Sequence, residues 1–469
     1  MQRLGNFIGG EFVAPASGEY LYDIAPATEE RIAEIPDSDA RDIDRAVEAA
    51  RAVFPAWSQT PAAERSKLLL RLADLIERNF DELAQLESTD SGKPLTLART
   101  LDIPRAIANF RFFASAILHT SSEAHLTDAT ALNYTLRQPL GVVGLISPWN
   151  LPLYLLSWKI APAIAVGNTC VAKPSEMTPL TANRLAELSL GAGIPAGVIN
   201  IVHGLGNKAG RALTSHDGVA AISFTGGTVT GAAVAANAAP RFKKISLELG
   251  GKNPTIIFAD ADLEQAIPTS IRAAFWNQGE ICLCGSRIFV ERPIYDRFVE
   301  GFVAAAKQLR IGEDIGALIS ETHLEKVIGY IELAKKEGGT VVTGGHRVNR
   351  RGYFVEPTVI TGLESNCRVL QDEIFGPVAT ITPFDTEEQV IAFANSTRYG
   401  LSSSVWTRDL QRAHRAAAAI ESGTVWINCW LLRDLRVPFG GMKESGVGRE
   451  GGVDSLQFFT EAKNVCVKL

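Results

Sequence analysis

From Gly141 onward the chain alternates short apolar, β-branched runs with longer helical stretches, and that alternation leaves few folds open. The runs Val142–Ser147, Thr169–Lys173, Val198–Val202 and Val219–Phe224 are nearly continuous in apolar residues instead of alternating with polar ones. Strands of that kind are buried on both faces, which requires helices above and below a parallel sheet. The expected architecture is therefore α/β, with a doubly wound parallel sheet. Thr178-Pro179 opens one of the intervening helices, and it stops near Gly191. Ligands of such sheets sit off the carboxyl ends of the strands, where Lys173 and Phe224-Thr225-Gly226 fall.

A second α/β unit is expected after Leu249-Gly250-Gly251, with strands near Thr255–Phe258, Ser286–Val290, Val378–Pro383 and Thr424–Asn428. Upstream, a short irregular start leads to a helix for which Asp37 and Ser38 offer caps, with Ile43, Ala46, Val47 and Ala50 on one face. Thr60-Pro61 opens a longer one, with Leu69, Leu72, Ile76 and Phe80 at helical spacing. Residues 119–138 are polar and alternating, as in a hairpin that leaves its parent domain. Val465, Val467 and Leu469 alternate at the C-terminal end, predicting a strand whose open backbone would pair with a neighbouring subunit. Three units follow: residues 1–118 with 139–249, residues 250–445, and a small bridging β element from 119–138 and 446–469.

A chain of 469 residues is too long for one core, in keeping with that division. Its formal net charge of −6 offers no field for nucleic acid or an anionic membrane. The most apolar stretch, Leu140–Val166, is broken by Ser147, Asn150 and Lys159, so no membrane span is expected. Met1–Gly10 lacks the apolar core of a secretory signal. The six cysteines are scattered and no Cys/His cluster has zinc spacing, so neither a disulfide framework nor a metal site is expected. A reducing cytoplasm suits free thiols.

The segment Phe275-Trp276-Asn277-Gln278-Gly279-Glu280-Ile281-Cys282-Leu283-Cys284-Gly285-Ser286-Arg287 holds a candidate nucleophile. In isolation a cysteine is more often a small buried hydrophobe. Asn150 alone would be a helix cap, Glu248 a solvated strand-end carboxylate, and Lys173 with Glu176 a surface ion pair. Their company changes this. Ile146-Ser147-Pro148-Trp149-Asn150, Lys173-Pro174-Ser175-Glu176, Phe224-Thr225-Gly226-Gly227, Leu247-Glu248-Leu249-Gly250-Gly251-Lys252, Glu373-Ile374-Phe375-Gly376-Pro377 and Pro438-Phe439-Gly440-Gly441 occur in this order. Together they closely resemble the aldehyde dehydrogenase superfamily over nearly the whole chain.

That resemblance implies NAD-dependent oxidation of an aldehyde to a carboxylic acid. Cys282 would be the nucleophile and carry the acyl group as a thioester; Cys284 is its rival, and spacing from Asn277 and Gly279 selects Cys282. Asn150 and the Cys282 N–H would hold the oxyanion, and Glu248 would activate water. The implied cofactor contacts are Ile146, Ser147, Pro148 and Trp149; Lys173, Ser175 and Glu176 at the adenosine ribose; Gly206, Gly210, Phe224, Thr225, Gly226, Gly227 and Leu249; and Glu373 and Phe375 at the nicotinamide. A carboxylate at Glu176 accepts from ribose hydroxyls and repels a 2′-phosphate, favouring NAD over NADP. The Gly204–Gly210 stretch is GxGxxxG and misses the usual dinucleotide fingerprint by one residue. Many relatives have Ser where this chain has Gly227, so one hydroxyl contact to phosphate is lacking.

Within the superfamily, Ile281-Cys282-Leu283-Cys284, Asp102-Ile103-Pro104-Arg105 and Cys429-Trp430-Leu431-Leu432-Arg433-Asp434-Leu435-Arg436 resemble the branch acting on 2-aminomuconate or 2-hydroxymuconate semialdehyde. Those small-molecule substrates carry a carboxylate, which an arginine fork can hold, and Arg105 and Arg433 are the expected contacts. The alternatives are pairing of Arg105 with Asp102, and of Arg433 or Arg436 with Asp434. Trp430, Trp158 and Phe275 leave open a neutral or cationic aldehyde such as betaine aldehyde. A catalytically silent relative with a structural role is the reading from a different class. Family resemblance also implies a homodimer or homotetramer.

Overall fold

Two large sheets joined end to end carry the molecule, and a small third sheet stands apart. The computed structural model describes Met1–Leu469. In the first large sheet five parallel strands lie in the order Lys244–Glu248, Ala221–Thr225, Val142–Ile146, Thr169–Lys173, Ile199–Ile201. The last four begin and end within a residue or two of the expected runs, and every residue of the three inner strands is buried, while Lys244–Glu248 was not among the expected strands. The chain winds outward from Val142–Ile146 in one direction and then returns to its other side at Ala221–Thr225. Strand order therefore reverses between those two, and a crevice opens at their carboxyl ends. The helix Pro152–Ala165 is buried along almost its whole length beneath this sheet.

The second sheet runs Thr340–Thr343, Thr358–Thr361, Val378–Phe384, Arg287–Glu291, Pro254–Ile257, Ser402–Trp406, Thr424–Ile427. All its neighbours are parallel except the first pair. Residues 249–253 carry the chain from the carboxyl end of Lys244–Glu248 to the amino end of Pro254–Ile257. The carboxyl ends of the first sheet consequently meet the amino ends of the second.

The structure corrects three expectations. The start is not irregular: Gln2–Arg3, Asn6–Ile8, Glu11–Val13, Tyr20–Ala25 and Glu30–Pro36 are strands, and Asn6–Ile8 pairs antiparallel with the distant Ile199–Ile201. The first three are only two or three residues long and show no usable periodicity, while Tyr20–Ala25 and Glu30–Pro36 pair as a partly exposed hairpin without a continuous apolar run. Asp39, not Asp37 or Ser38, caps the helix Ala40–Gln59, in a capping box with Asp42. Asp37 is instead paired with Lys208 at 2.6 Å, and the Ser38 hydroxyl bonds Asn6 at 2.8 Å. Phe80 belongs to the next helix, Phe80–Ser91, because the helix Ala62–Arg78 ends at Asn79.

The C-terminal strand Thr460–Lys468 is paired within its own chain, along the full length of Ala131–Pro139. Its ladder does not wait on a neighbouring subunit, since the projecting hairpin Ala124–Thr127 and Ala131–Pro139 supplies the partner. Its outer edge is open. Upstream of it, Gly446–Val447 joins the first large sheet, and residues Leu456 and Phe459 pack into that sheet's core. No helix is long and apolar enough to cross a membrane.

Candidate active site

Cys282 lies where the two sheets face each other. It lines a cleft with Trp149, Asn150, Gly226, Gly227, Glu373 and Phe375, and also a mostly apolar cavity with Tyr154, Leu283, Phe439, Glu248 and Arg433. Cys284 lines neither. It is 7% exposed and faces a separate small void beside Gly279 and Val378. The two cysteines do not lie on a strand: Cys284 N–H closes a turn onto the Ile281 carbonyl at 2.9 Å. Asn253 Nδ2 donates to both cysteine carbonyls, at 2.7 Å and 3.0 Å, fixing that loop. The Cys282 N–H meets no acceptor in the protein and is open to a ligand. Burial pushes the Cys282 thiol up, with the Glu373 and Glu248 carboxylates adding to it and Arg433 opposing. It rests as a thiol.

The carbonyl of Asn150 accepts from Lys93 Nζ at 2.9 Å and from Asn277 Nδ2 at 3.1 Å. Its side-chain Nδ2 donates to the Glu280 carbonyl at 2.8 Å. An amide has two N–H groups, so one is left over. Asn277 and Gln278 both adopt left-handed backbone, with φ of 51° and 47°. Gly279 continues it at φ 76°, where a Cβ would run into the Gly376 carbonyl. The two non-glycine residues, Asn277 and Gln278, carry strain there, in the turn from which the Asn277 amide reaches the Asn150 carbonyl.

Glu248 ends its strand with both carboxylate oxygens buried and unpartnered. Burial raises its carboxyl well above the usual range, the neighbouring Glu450 raises it further, and Lys159, Arg433 and Arg449 pull it down. Glu450 accepts from Lys159 Nζ at 2.9 Å and from Ser223 Oγ at 3.1 Å. Sequence reasoning missed this group. Its trace was Lys159 itself, a lone charge in a run otherwise fit for a membrane or core helix.

On the cleft side, Trp149 and Phe375 meet edge to face at 5.4 Å, and Phe375 has a left-handed φ of 62°. Two further residues line the cleft without a signal in the motifs: His323, whose Nε2 is 2.6 Å from the Phe375 carbonyl, and Lys326, which donates to the Glu373 carbonyl at 3.1 Å. Glu373 accepts from Gly251 N–H at 2.9 Å. Ile146 and Phe224 are buried within the sheet beneath, 8% and 4% exposed; Ser147, Pro148, Thr225 and Leu249 sit at the strand ends above them. Lys173, Ser175 and Glu176 lie at the next carboxyl end along, where Lys173 pairs with Glu176 at 3.0 Å. The Gly206–Gly210 turn packs there too, since a Cβ on Gly210 would lie 3.7 Å from Lys173 Cδ.

The arginines separate. Arg433 enters the apolar cavity, its guanidinium 3.8 Å from the Phe439 ring centroid. Arg436, not Arg433, takes Asp434, at 2.6 Å. Arg105 stacks over Tyr154 at 5.3 Å and does not pair with Asp102, which is held by Lys93. Arg105 thus lies behind a residue of the cavity wall and outside the cavity lining.

Residues 12–465 match the aldehyde dehydrogenase family model. The chain belongs to the aldehyde dehydrogenase family. It is 55% identical to a 2-aminomuconic semialdehyde dehydrogenase of Danio rerio, over 99% of this chain and 98% of that one. It is 48% identical to a 2-hydroxymuconic semialdehyde dehydrogenase of Pseudomonas sp. (strain CF600), over 100% of both. A solved NAD+ complex of an aldehyde dehydrogenase from Bacillus cereus superposes with a TM-score of 0.98 at 42% identity, covering 100% of this chain and 97% of that one.

The cleft suits a dinucleotide. The helix Thr228–Ala238 starts at Gly227 with no side-chain cap, leaving its first N–H groups for an anion. A Cβ at Gly227 would meet nothing, so the approach is open. The hydroxyls of Ser147, Thr225 and Thr228 are buried around it without partners.

Proposed function

We propose that this aldehyde dehydrogenase oxidises a carboxylated semialdehyde, of the 2-aminomuconate or 2-hydroxymuconate type, to the dicarboxylic acid with NAD. The observation that carries the reading is the position of Cys282, shared between a dinucleotide-fitting cleft and a cavity that holds Glu248 and the cation of Arg433. The names of the relatives point to the same substrates.

The thiol must ionise before it attacks, and Glu248, whose proton affinity is raised by burial, is the base within the same cavity. Addition of the Cys282 sulfur to the aldehyde carbon places negative charge on the carbonyl oxygen. The free N–H of Asn150 and the Cys282 backbone N–H receive it; one such donor is worth about 10²–10³ in rate. When bound, NAD supplies the nicotinamide that accepts the aldehyde's hydride. The acyl group is then a thioester on Cys282. After the thiol's proton has left Glu248 for solvent, the carboxylate takes a proton from water as the water oxygen adds to the acyl carbon, and collapse releases the acid and the thiolate. Trp149, Glu373 and Phe375 hold the nicotinamide end, while Lys173, Ser175 and Glu176 hold the adenosine ribose, with Gly206 and Gly210 beside them. Arg433 takes the remote carboxylate, with Arg105 behind Tyr154 as a second positive charge near the entrance. The open edge of Thr460–Lys468 joins copies of the chain into a homodimer or homotetramer.

NADH formation with a panel of semialdehydes tests this. Carboxylated substrates should exceed neutral ones of equal length in kcat/KM by about 10-fold or more, and Cys282→Ala should abolish turnover. Equal kcat/KM across the panel would remove the substrate assignment; a wild-type enzyme inert to every aldehyde would remove the whole reading.

A further inference from the structure

Asn150 is anchored by charged groups that the chemistry above does not use. Lys93 follows Gly92 after the helix Phe80–Ser91, and its ammonium lies 2.9 Å from Asp102 Oδ1 and 2.9 Å from the Asn150 carbonyl. Both side chains of this ion pair are 0% exposed. The Glu280 carbonyl, which anchors the Asn150 amide, is itself bonded by Asn277 Nδ2 at 3.1 Å. Three residues on, the Leu153 N–H donates to Glu87 Oε1 at 3.2 Å. The stretch 150–153 is thus tied down at both ends from the same buried cluster. Burial, followed by the Asp102 charge, pushes the Glu87 carboxyl up to about 8.

A buried ion pair is a poor way to gain stability. Desolvation cancels most of the attraction, and apolar replacement of both partners is often neutral or better. What an apolar pair cannot do is donate to one chosen carbonyl. An oxyanion donor works only when it sits within a fraction of an ångström of its place, and misplacement by ~1 Å can cost about 10²-fold.

We propose that Lys93, held by Asp102, is a positioning residue that keeps the Asn150 amide in register with the oxyanion, and so acts on thioester formation through Asn150. The inference rests on the oxyanion role given to Asn150 above. Lys93 itself lines neither cleft nor cavity and reaches the site only through the Asn150 carbonyl, so binding of cofactor and aldehyde should be spared.

The test compares Lys93→Met with Lys93→Met/Asp102→Leu in the full-length enzyme. The single variant strands the Asp102 carboxylate and should lose stability; the double removes both charges and should melt near the parent temperature. In the double variant, thioester formation, read as single-turnover NADH release, should slow by about 10–100-fold, with KM for NAD within about 3-fold of parent, a change of under 1 kcal/mol. Asn150→Ala should cost far less in that background than in the parent, because the two residues act as one unit. A stable double variant that forms thioester at the parental rate would overturn the proposal, as would full additivity with Asn150→Ala. If Asn150→Ala has no effect in the parent, the oxyanion reading fails instead.

Discussion

Replacing Arg433 by Met separates two effects of one cation. The guanidinium lines the mostly apolar cavity beside Cys282, stacked on Phe439 at 3.8 Å, and is partly buried there. Against a substrate carboxylate it would supply charge-assisted hydrogen bonds worth about 1.5–3 kcal/mol. Met preserves most of the apolar stem against the ring, so the loss falls on the charge. KM for a carboxylated semialdehyde should rise by about 10- to 100-fold, at 1.4 kcal/mol per tenfold. KM for a neutral aldehyde of equal length should stay within about 3-fold, since only the ring contact of roughly 0.5–1 kcal/mol is altered. The same cation pulls both Glu248 and Cys282 down. Its removal raises both, so the rising acid limb of kcat should move to higher pH with either substrate. Steady-state NADH formation across a pH series, with both substrates, reads both effects. An equal rise in KM for the two aldehydes would refute the carboxylate contact, and an unmoved acid limb would refute the electrostatic coupling.

Two further outcomes follow from the buried carboxyls. Glu248→Gln keeps the shape of the side chain but cannot take a proton, so steady-state kcat should fall by about 10²–10⁴-fold. One equivalent of NADH per site should still form in a first, slowed turnover; sustained parental turnover would exclude Glu248 from the water step. Glu87, pushed up to about 8 from 4.5 by burial, binds a proton in the folded state that the unfolded chain has released. Its contribution to stability is complete below the unfolded value and lost as pH rises through the folded one. The wild type should therefore lose melting temperature relative to Glu87→Gln between about pH 4.5 and pH 8, and parallel melting curves would contradict the assignment.

The strands Thr169–Lys173 and Val378–Phe384 were legible in the chain because buried parallel strands are rich in apolar and β-branched residues, a property of a few adjacent positions. The order of the motifs around Asn150, Glu248, Cys282 and Glu373 was legible too, and with it the family and the chemistry. Helix caps were less so: Asp37, Ser38 and Asp39 are all competent, and the choice fell to Asp39 only because Lys208 and Asn6 occupy the other two.

Cys282 and Cys284 show where reading along the chain stops. Two residues apart in one loop, they have nearly the same local surroundings, and only family spacing distinguished them. In the folded chain one lines the cleft and cavity while the other is shut behind Gly279 and Val378. Likewise Lys159 read only as a break in an apolar stretch, whereas in the folded chain Glu450 closes on it, and Lys93 is enclosed by Asp102 and the Asn150 carbonyl. Periodicity and motif order are short-range properties that the sequence carries by itself. Which thiol is reachable depends on segments more than a hundred residues apart meeting where two sheets abut, as does the burial of Lys159 against Glu450, and only the tertiary structure decides that.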